Sequence, residues 1–112
     1  MIVKQIQMNL SQLQHIVLIP DGNRRWAKKK GLPSFFGHKE GAKITEKILK
    51  TVLDLKIPYF TFWGSSLDNI VKRPAQEVQF LLKLFERYFK KLARSKEVNQ
   101  NKIKINIIGR WR

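Results

Sequence analysis

The sequence contains no cysteine, which excludes disulfide bonds and thiolate metal sites. It also lacks a long apolar segment. The longest aliphatic run, residues 16–19, is far shorter than the roughly 20 residues that a membrane-spanning helix needs. The first residues show no charged region followed by a long apolar one, so we expect no signal peptide. These absences predict a soluble, cytoplasmic protein.

Acidic residues are also few. The chain has 8 Asp and Glu against 23 Lys and Arg, a formal net charge of +15. This excess predicts an anionic partner: nucleic acid, anionic lipid or a phosphorylated substrate. The basic residues are spread along the chain, which does not favour a dedicated nucleic-acid arm. Neither a Walker loop nor a G-x-G-x-x-G dinucleotide motif occurs.

Apolar spacing predicts alternating strands and helices. The runs HIVLI (15–19), YFTFW (59–63) and IKINIIG (103–109) are typical of strands. Helical spacing is present over residues 3–13, 39–56 and 75–93. Strands separated by helices indicate an α/β fold, a parallel sheet with flanking helices.

The predicted sheet is thin, and the sequence stops directly after its third strand. Parallel sheets are normally covered on both faces. We therefore expect residues 1–112 to be the N-terminal portion of a single larger domain, truncated after the third strand. A complete three-stranded miniature is the less favoured alternative.

Polar loops follow the first two predicted strands, PDGNRRW (20–26) and GSSLDNIVKRP (64–74). Each carries a carboxylate, an asparagine and an arginine. Ligands of open parallel sheets bind at the C-terminal ends of strands. The two loops therefore predict a binding site at one edge of the sheet.

The residue types in the first loop suit a metal and a phosphate. Asp21 could share Mg²⁺ with phosphate oxygens, or could only form an Asx-turn. Arg24 and Arg25 could clamp phosphate in a bidentate manner, or lie on a solvated basic surface. Asn23 could orient a ligand or cap the next turn, and Trp26 is favoured as a packing residue.

Further along the chain, His38 is either structural or a hydrogen-bond donor in a phosphate site. Ser66 and Asn69 could cap the second loop or reach the reacting centre. Arg73 precedes Pro74 at a predicted helix N-terminus, which is a favourable position for an anion.

Together these motifs resemble the cis-prenyltransferase family of the undecaprenyl diphosphate synthase type. The stretch HIVLIPDGNRRWAKKKGLPSFFGHKEGA is similar to that family's D-G-N-x-R-W-A and G-H-x-x-G region. TFWGSSLDNIVKRPAQEVQFLLKLF resembles its S-x-E-N-W and R-P-x-x-E-V region, and INIIGRWR the strand-and-glycine segment that follows. The resemblance runs from His15 to Arg112.

The resemblance implies a Mg²⁺-dependent enzyme that condenses isopentenyl diphosphate onto an allylic diphosphate to give a cis-polyprenyl diphosphate. It implies a parallel sheet and helices around a hydrophobic tunnel, and a homodimer when the protein is full length. We expect a cytoplasmic enzyme in contact with the membrane surface and no nucleic-acid partner.

The family's functional residues can be carried onto matching positions. Asp21, as metal ligand, and Asn69 would be catalytic. The substrate-binding residues would be Gly22, Asn23, Arg24, Arg25, Trp26, His38, Ser66 and Arg73.

Several positions depart from the family pattern. Ser34 stands near the place of a usual arginine. Asp68 replaces a glutamate, and Ile70 replaces an aromatic residue. One extra residue before Arg73 makes Ser65 a competitor of Ser66.

The family's R-x-R-x-S motif and second metal-binding glutamate do not occur in this sequence. We therefore expect little or no turnover from this chain alone. One alternative is a non-catalytic prenyltransferase-like subunit. The other is a basic nucleic-acid-binding module, whose binding would depend steeply on salt and would not need Asp21.

Overall fold

The computed structural model describes residues 12–109, apart from the side chains of Leu67 and Asp68. The helix predicted over 3–13 lies outside the described residues except at its end. The chain forms, in order, β1 (His15–Leu18), α1 (Asn23–Lys29), α2 (Ser34–Asp54), β2 (Tyr59–Phe62), α3 (Leu67–Lys72), α4 (Ala75–Ala93) and α5 (Lys96–Gln100).

The two strands form a parallel pair, and α2 lies between them in sequence. The paired residues are His15 with Tyr59, Ile16 with Phe60, Val17 with Thr61 and Leu18 with Phe62. Pro20 and Pro58 flank the strands, and proline cannot donate a ladder hydrogen bond. The predicted α/β class, a parallel sheet with flanking helices, is confirmed.

The first strand is less buried than its apolar sequence predicts. Ile16 and Leu18 are half-buried, whereas Val17 on the opposite face is 55% exposed. Tyr59 of β2, beside His15, is 64% exposed. Within the described residues, one face of the sheet is thus open.

A third strand over 103–109 was a wrong prediction for the described residues. Residues 103–108 have no regular secondary structure. Ile103 instead donates its backbone N–H to the Val98 carbonyl oxygen at 3.0 Å, just after α5. A strand requires a ladder of hydrogen bonds to a neighbour, and the side chains of Ile105, Ile107 and Ile108 are exposed, the last at 88%.

Helix α2 packs against α1 and α4. The rings of Phe35 and Phe80 join α2 to α4, with centroids 5.0 Å apart. Lys91 of α4 also donates a hydrogen bond to Glu46 of α2. Small clusters of buried apolar side chains complete this arrangement: Ala27, Val52, Ile57, Leu81, Leu84 and Val98. None of the helices in residues 12–109 is long and apolar enough to cross a bilayer.

Candidate active site

The loop after β1 turns sharply into α1. Gly22 has φ +88°, a left-handed conformation that glycine adopts without steric cost. Its carbonyl oxygen accepts the first helical hydrogen bond, from Trp26 at 2.9 Å. The turn therefore places Asp21 at the C-terminal end of the strand and both arginines in the first turn of the helix.

Asp21 is the single carboxylate of this loop, and 84% of its side chain is exposed. Its Oδ2 lies 2.9 Å from Nη2 of Arg25, whose side chain is 72% exposed. An ion pair this exposed contributes little stability. The Asp21 carboxylate is therefore accessible from solvent even though it is paired with Arg25.

Asn23 is held in a notch on α2 made by two glycines. A Cβ built on Gly37 would stand 2.0 Å from the Asn23 carbonyl oxygen, and one on Gly41 would stand 2.5 Å from Asn23 Nδ2. Only glycine permits this approach of α1 to α2. The G-H-x-x-G spacing thus has a packing explanation, and Asn23 acts as part of the α1–α2 junction.

The interior of the site contains a carboxylate that the sequence analysis missed, Glu77. Its Oε1 lies 2.7 Å from His38 Nε2, 3.2 Å from Arg24 Nε and 3.9 Å from Arg73 Nε. The side chains of His38 and Glu77 are 5% and 4% exposed. Glu77 therefore joins α1, α2 and the start of α4. The signal that could have indicated it is the acid of R-P-x-x-E, four residues after Arg73.

Ser66 and Asn69 form a reciprocal capping box at the start of α3. The Ser66 hydroxyl accepts the Asn69 backbone N–H at 3.1 Å, and Asn69 Oδ1 accepts the Ser66 backbone N–H at 3.3 Å. This box explains why a short helix stands where we predicted only a polar loop. Ser65 instead donates its hydroxyl to the Ser66 carbonyl oxygen at 3.3 Å.

Trp26 lies on the outer side of α1, 39% exposed. Lys30 Nζ sits 5.3 Å from the centre of its ring, a cation–π contact. Near it, an open depression is lined by Arg24, Arg25, Lys28, Gly31, Leu32 and Ser34. The position of Ser34 places a hydroxyl, rather than the family's usual arginine, at the rim of this basic depression.

Seven of the ten predicted site residues thus fall into three groups: Asp21 with Arg25, the pair Ser66 and Asn69, and Arg24, His38 and Arg73 around the buried Glu77. Within residues 12–109 no group of three or more metal-binding side chains occurs. A lone exposed carboxylate suits Mg²⁺ only when substrate phosphates supply further ligands, as Mg²⁺ sites commonly require. Beside Asp21 lies the guanidinium of Arg25, a group of the kind that binds phosphate oxygens.

Comparisons with known proteins agree with one another. A family model for undecaprenyl diphosphate synthases matches residues 19–112. The isoprenyl transferase of Halalkalibacterium halodurans is 51% identical over 77 residues, covering 69% of this chain and 30% of its own. The isoprenyl transferase of Treponema denticola is 46% identical over 98 residues, covering 88% and 42%.

An archaeal protein is similar over the same region. The tritrans,polycis-undecaprenyl-diphosphate synthase (geranylgeranyl-diphosphate specific) of Pyrococcus abyssi is 41% identical over 97 residues, covering 87% of this chain and 36% of its own. The chain therefore spans 30–42% of the length of these three relatives.

Proposed function

This chain belongs to the undecaprenyl diphosphate synthase family of prenyltransferases, and we propose that it forms the allylic-diphosphate half of a cis-prenyltransferase site. In the reaction, the C–O bond between the allyl group and its diphosphate breaks. C4 of isopentenyl diphosphate, the terminal carbon of its double bond, forms the new C–C bond to C1 of the allyl group, and a proton then leaves C2 to restore a double bond. The observation that carries the proposal is the exposed pair of Asp21 and Arg25 just after β1, with Arg24 and Arg73 both facing the buried Glu77 carboxylate.

The arginines account for diphosphate binding. Guanidinium groups bind phosphate oxygens in a bidentate manner and keep their charge at all relevant pH values. Arg24 and Arg25 are more than half exposed at the first turn of α1, and Arg73 approaches from the start of α4. They would hold the diphosphate and stabilise the negative charge that develops on the leaving pyrophosphate.

Asp21 would hold Mg²⁺ together with the diphosphate. When bound, the ion supplies Lewis-acid stabilisation of pyrophosphate departure. Nη2 of Arg25 lies 2.9 Å from the Asp21 carboxylate. Binding of metal and diphosphate together would move Arg25 from the carboxylate to the phosphate, an exchange between two exposed partners that costs little.

Asn69 and Ser66 would act from the second loop. Their side chains rigidify the start of α3 through the capping box, and the Asn69 amide would contribute to catalysis beside the diphosphate. His38 would support the site from the protein interior, where its buried ring is hydrogen-bonded to Glu77. Homodimerisation and contact with the membrane surface belong to the same proposal, and the +15 net charge would favour anionic lipid.

Turnover is best tested in a protein of complete family length. Residues 19–112 would replace the matching segment of the Treponema denticola isoprenyl transferase, and incorporation of labelled isopentenyl diphosphate would be measured. We expect turnover from the chimera, little or none from the 112-residue chain, and none from the chimera carrying Asp21→Ala. A folded chimera that lacks turnover, beside an active parent enzyme, would contradict the proposal and favour a non-catalytic subunit.

A further inference from the structure

We infer that Glu77 is a positioning residue of the diphosphate site, which fixes Arg24, Arg73 and His38 without touching the substrate. The inference rests on the function proposed above. Only 4% of the Glu77 side chain is exposed, so the carboxylate is nearly inaccessible to a ligand. A diphosphate could not reach this carboxylate without displacing its partners, and the two anions would repel each other.

The geometry shows how one carboxylate organises three elements. Oε1 of Glu77 faces the Nε atoms of both arginines and Nε2 of His38, at 3.2, 3.9 and 2.7 Å. An arginine has one Nε–H donor and four Nη–H donors. Both ion pairs to Glu77 are made through Nε, at 3.2 Å for Arg24 and at a looser 3.9 Å for Arg73, which leaves the Nη donors for a phosphate.

Burial makes this arrangement rigid. A buried charge must be paired, and removal of one partner leaves the other uncompensated. Arg24 and Arg73 are 52% and 21% exposed at their side chains, so without Glu77 they would explore several rotamers. Binding would then have to order both long side chains, at a cost in affinity.

Two physical effects of Glu77 predict changes of opposite sign. As a nearby negative charge, the carboxylate repels an anion, so its neutralisation should strengthen pyrophosphate binding. As a positioning residue, it holds the arginines in place, so its neutralisation should weaken binding. The direction of the change therefore separates the two roles.

The experiment compares Glu77→Gln with the wild-type chain by calorimetric titration of inorganic pyrophosphate in the presence of Mg²⁺. We expect binding about tenfold weaker in the variant, and a smaller loss in Glu77→Asp, which keeps the charge. Val52→Ala is the matched control, because Val52 is buried in α2 away from the cluster. It should lose stability but keep its pyrophosphate affinity.

Wild-type affinity, or tighter binding, in Glu77→Gln would overturn the inference. The absence of pyrophosphate binding in the wild-type chain would instead contradict the proposed function itself. If the variants do not fold, NMR of the wild-type chain provides the test. On addition of pyrophosphate with Mg²⁺, the Nη–H signals of Arg24 and Arg73 should shift more than their Nε–H signals. An equal or larger shift at the Nε–H signals would show that pyrophosphate takes the arginines away from Glu77, and would overturn the inference.

Discussion

The Asn23 carbonyl oxygen lies so close to Gly37 that a β-carbon on residue 37 would stand 2.0 Å away. Real Cβ atoms do not approach a backbone oxygen to this distance, so α1 can sit on α2 only through a glycine. The same contact fixes the direction in which α1 leaves the loop, and with it the positions of Arg24 and Arg25. The packing of two helices thus determines where the cationic side chains of the site lie.

Gly37→Ala should destabilise the protein, although helix propensity alone predicts a gain of about 1 kcal/mol for this change. Overpacking typically costs about 1–3 kcal/mol, and here α1 as a whole must shift, so we expect a net loss of about 2 kcal/mol. Urea denaturation measures it. Lys50→Ala, at an exposed position of α2, should stay within about 0.5 kcal/mol of the wild type. A Gly37→Ala protein as stable as the wild type would contradict the close packing.

Ser66→Ala should remove the capping box and destabilise α3. Loss of a serine N-cap typically costs about 1 kcal/mol, and α3 has only six residues over which to compensate. Ser65→Ala is the matched control, since Ser65 makes only a local bond to the next carbonyl oxygen. Thermal unfolding of the two variants should therefore differ. Equal destabilisation by both would show that the box does not hold the loop.

Arg25→Ala should bring opposite changes in the binding of metal and of pyrophosphate. Mg²⁺ alone should bind more tightly, by no more than about fivefold, because exposed ion pairs contribute at most ~1 kcal/mol. Pyrophosphate should bind more weakly, because a phosphate ligand is lost. Calorimetric titration with each ligand separately measures both. If the affinities for Mg²⁺ and for pyrophosphate both fall, Arg25 and Mg²⁺ do not compete for Asp21.

The contact between Lys91 of α4 and Glu46 of α2 should make the free energy of unfolding depend on pH in alkaline solution. The hydrogen bond to Glu46, followed by its negative charge, raises the pKa of Lys91 above its ordinary 10.5. A raised folded-state pKa gives stability that is present below pH 10.5 and is lost as the pH rises through the folded value. Lys91→Met should therefore be less stable than the wild type at pH 8, and the difference should shrink above pH 10.5. A difference that stays constant from pH 8 to pH 12 would contradict this linkage.

Local sequence patterns were sufficient for much of the fold. Pro74 and the apolar spacing that follows it predicted 75–93, and the helix spans Ala75–Ala93. The strands that begin at His15 and Tyr59 were predictable because each is a short run of β-branched or aromatic residues next to a proline. Helix α3 was missed because a two-residue capping box, rather than an apolar face, stabilises it. The prediction of a strand over 103–109 was wrong because an apolar run forms a strand only when it hydrogen-bonds to a neighbouring strand.

The candidate site was predictable at its surface but not in its interior. Asp21 and the arginines follow a strand directly, so their place at the sheet edge follows from chain order. Glu77 occupies the first turn of α4, where an acid is ordinarily explained by the helix dipole. Its hydrogen bond to His38 spans 39 residues and depends on how α2 and α4 pack, which local patterns do not specify.

Asp21 should couple a metal ion to diphosphate binding, and calorimetric titration of pyrophosphate with and without Mg²⁺ measures this coupling. We predict that the wild-type chain binds pyrophosphate more tightly with Mg²⁺, and that Asp54→Ala, which removes an exposed carboxylate at the end of α2, behaves in the same way. Asp21→Ala should bind pyrophosphate equally weakly under both conditions. Retention of the full Mg²⁺ effect in Asp21→Ala would show that Asp21 does not couple the metal to diphosphate binding.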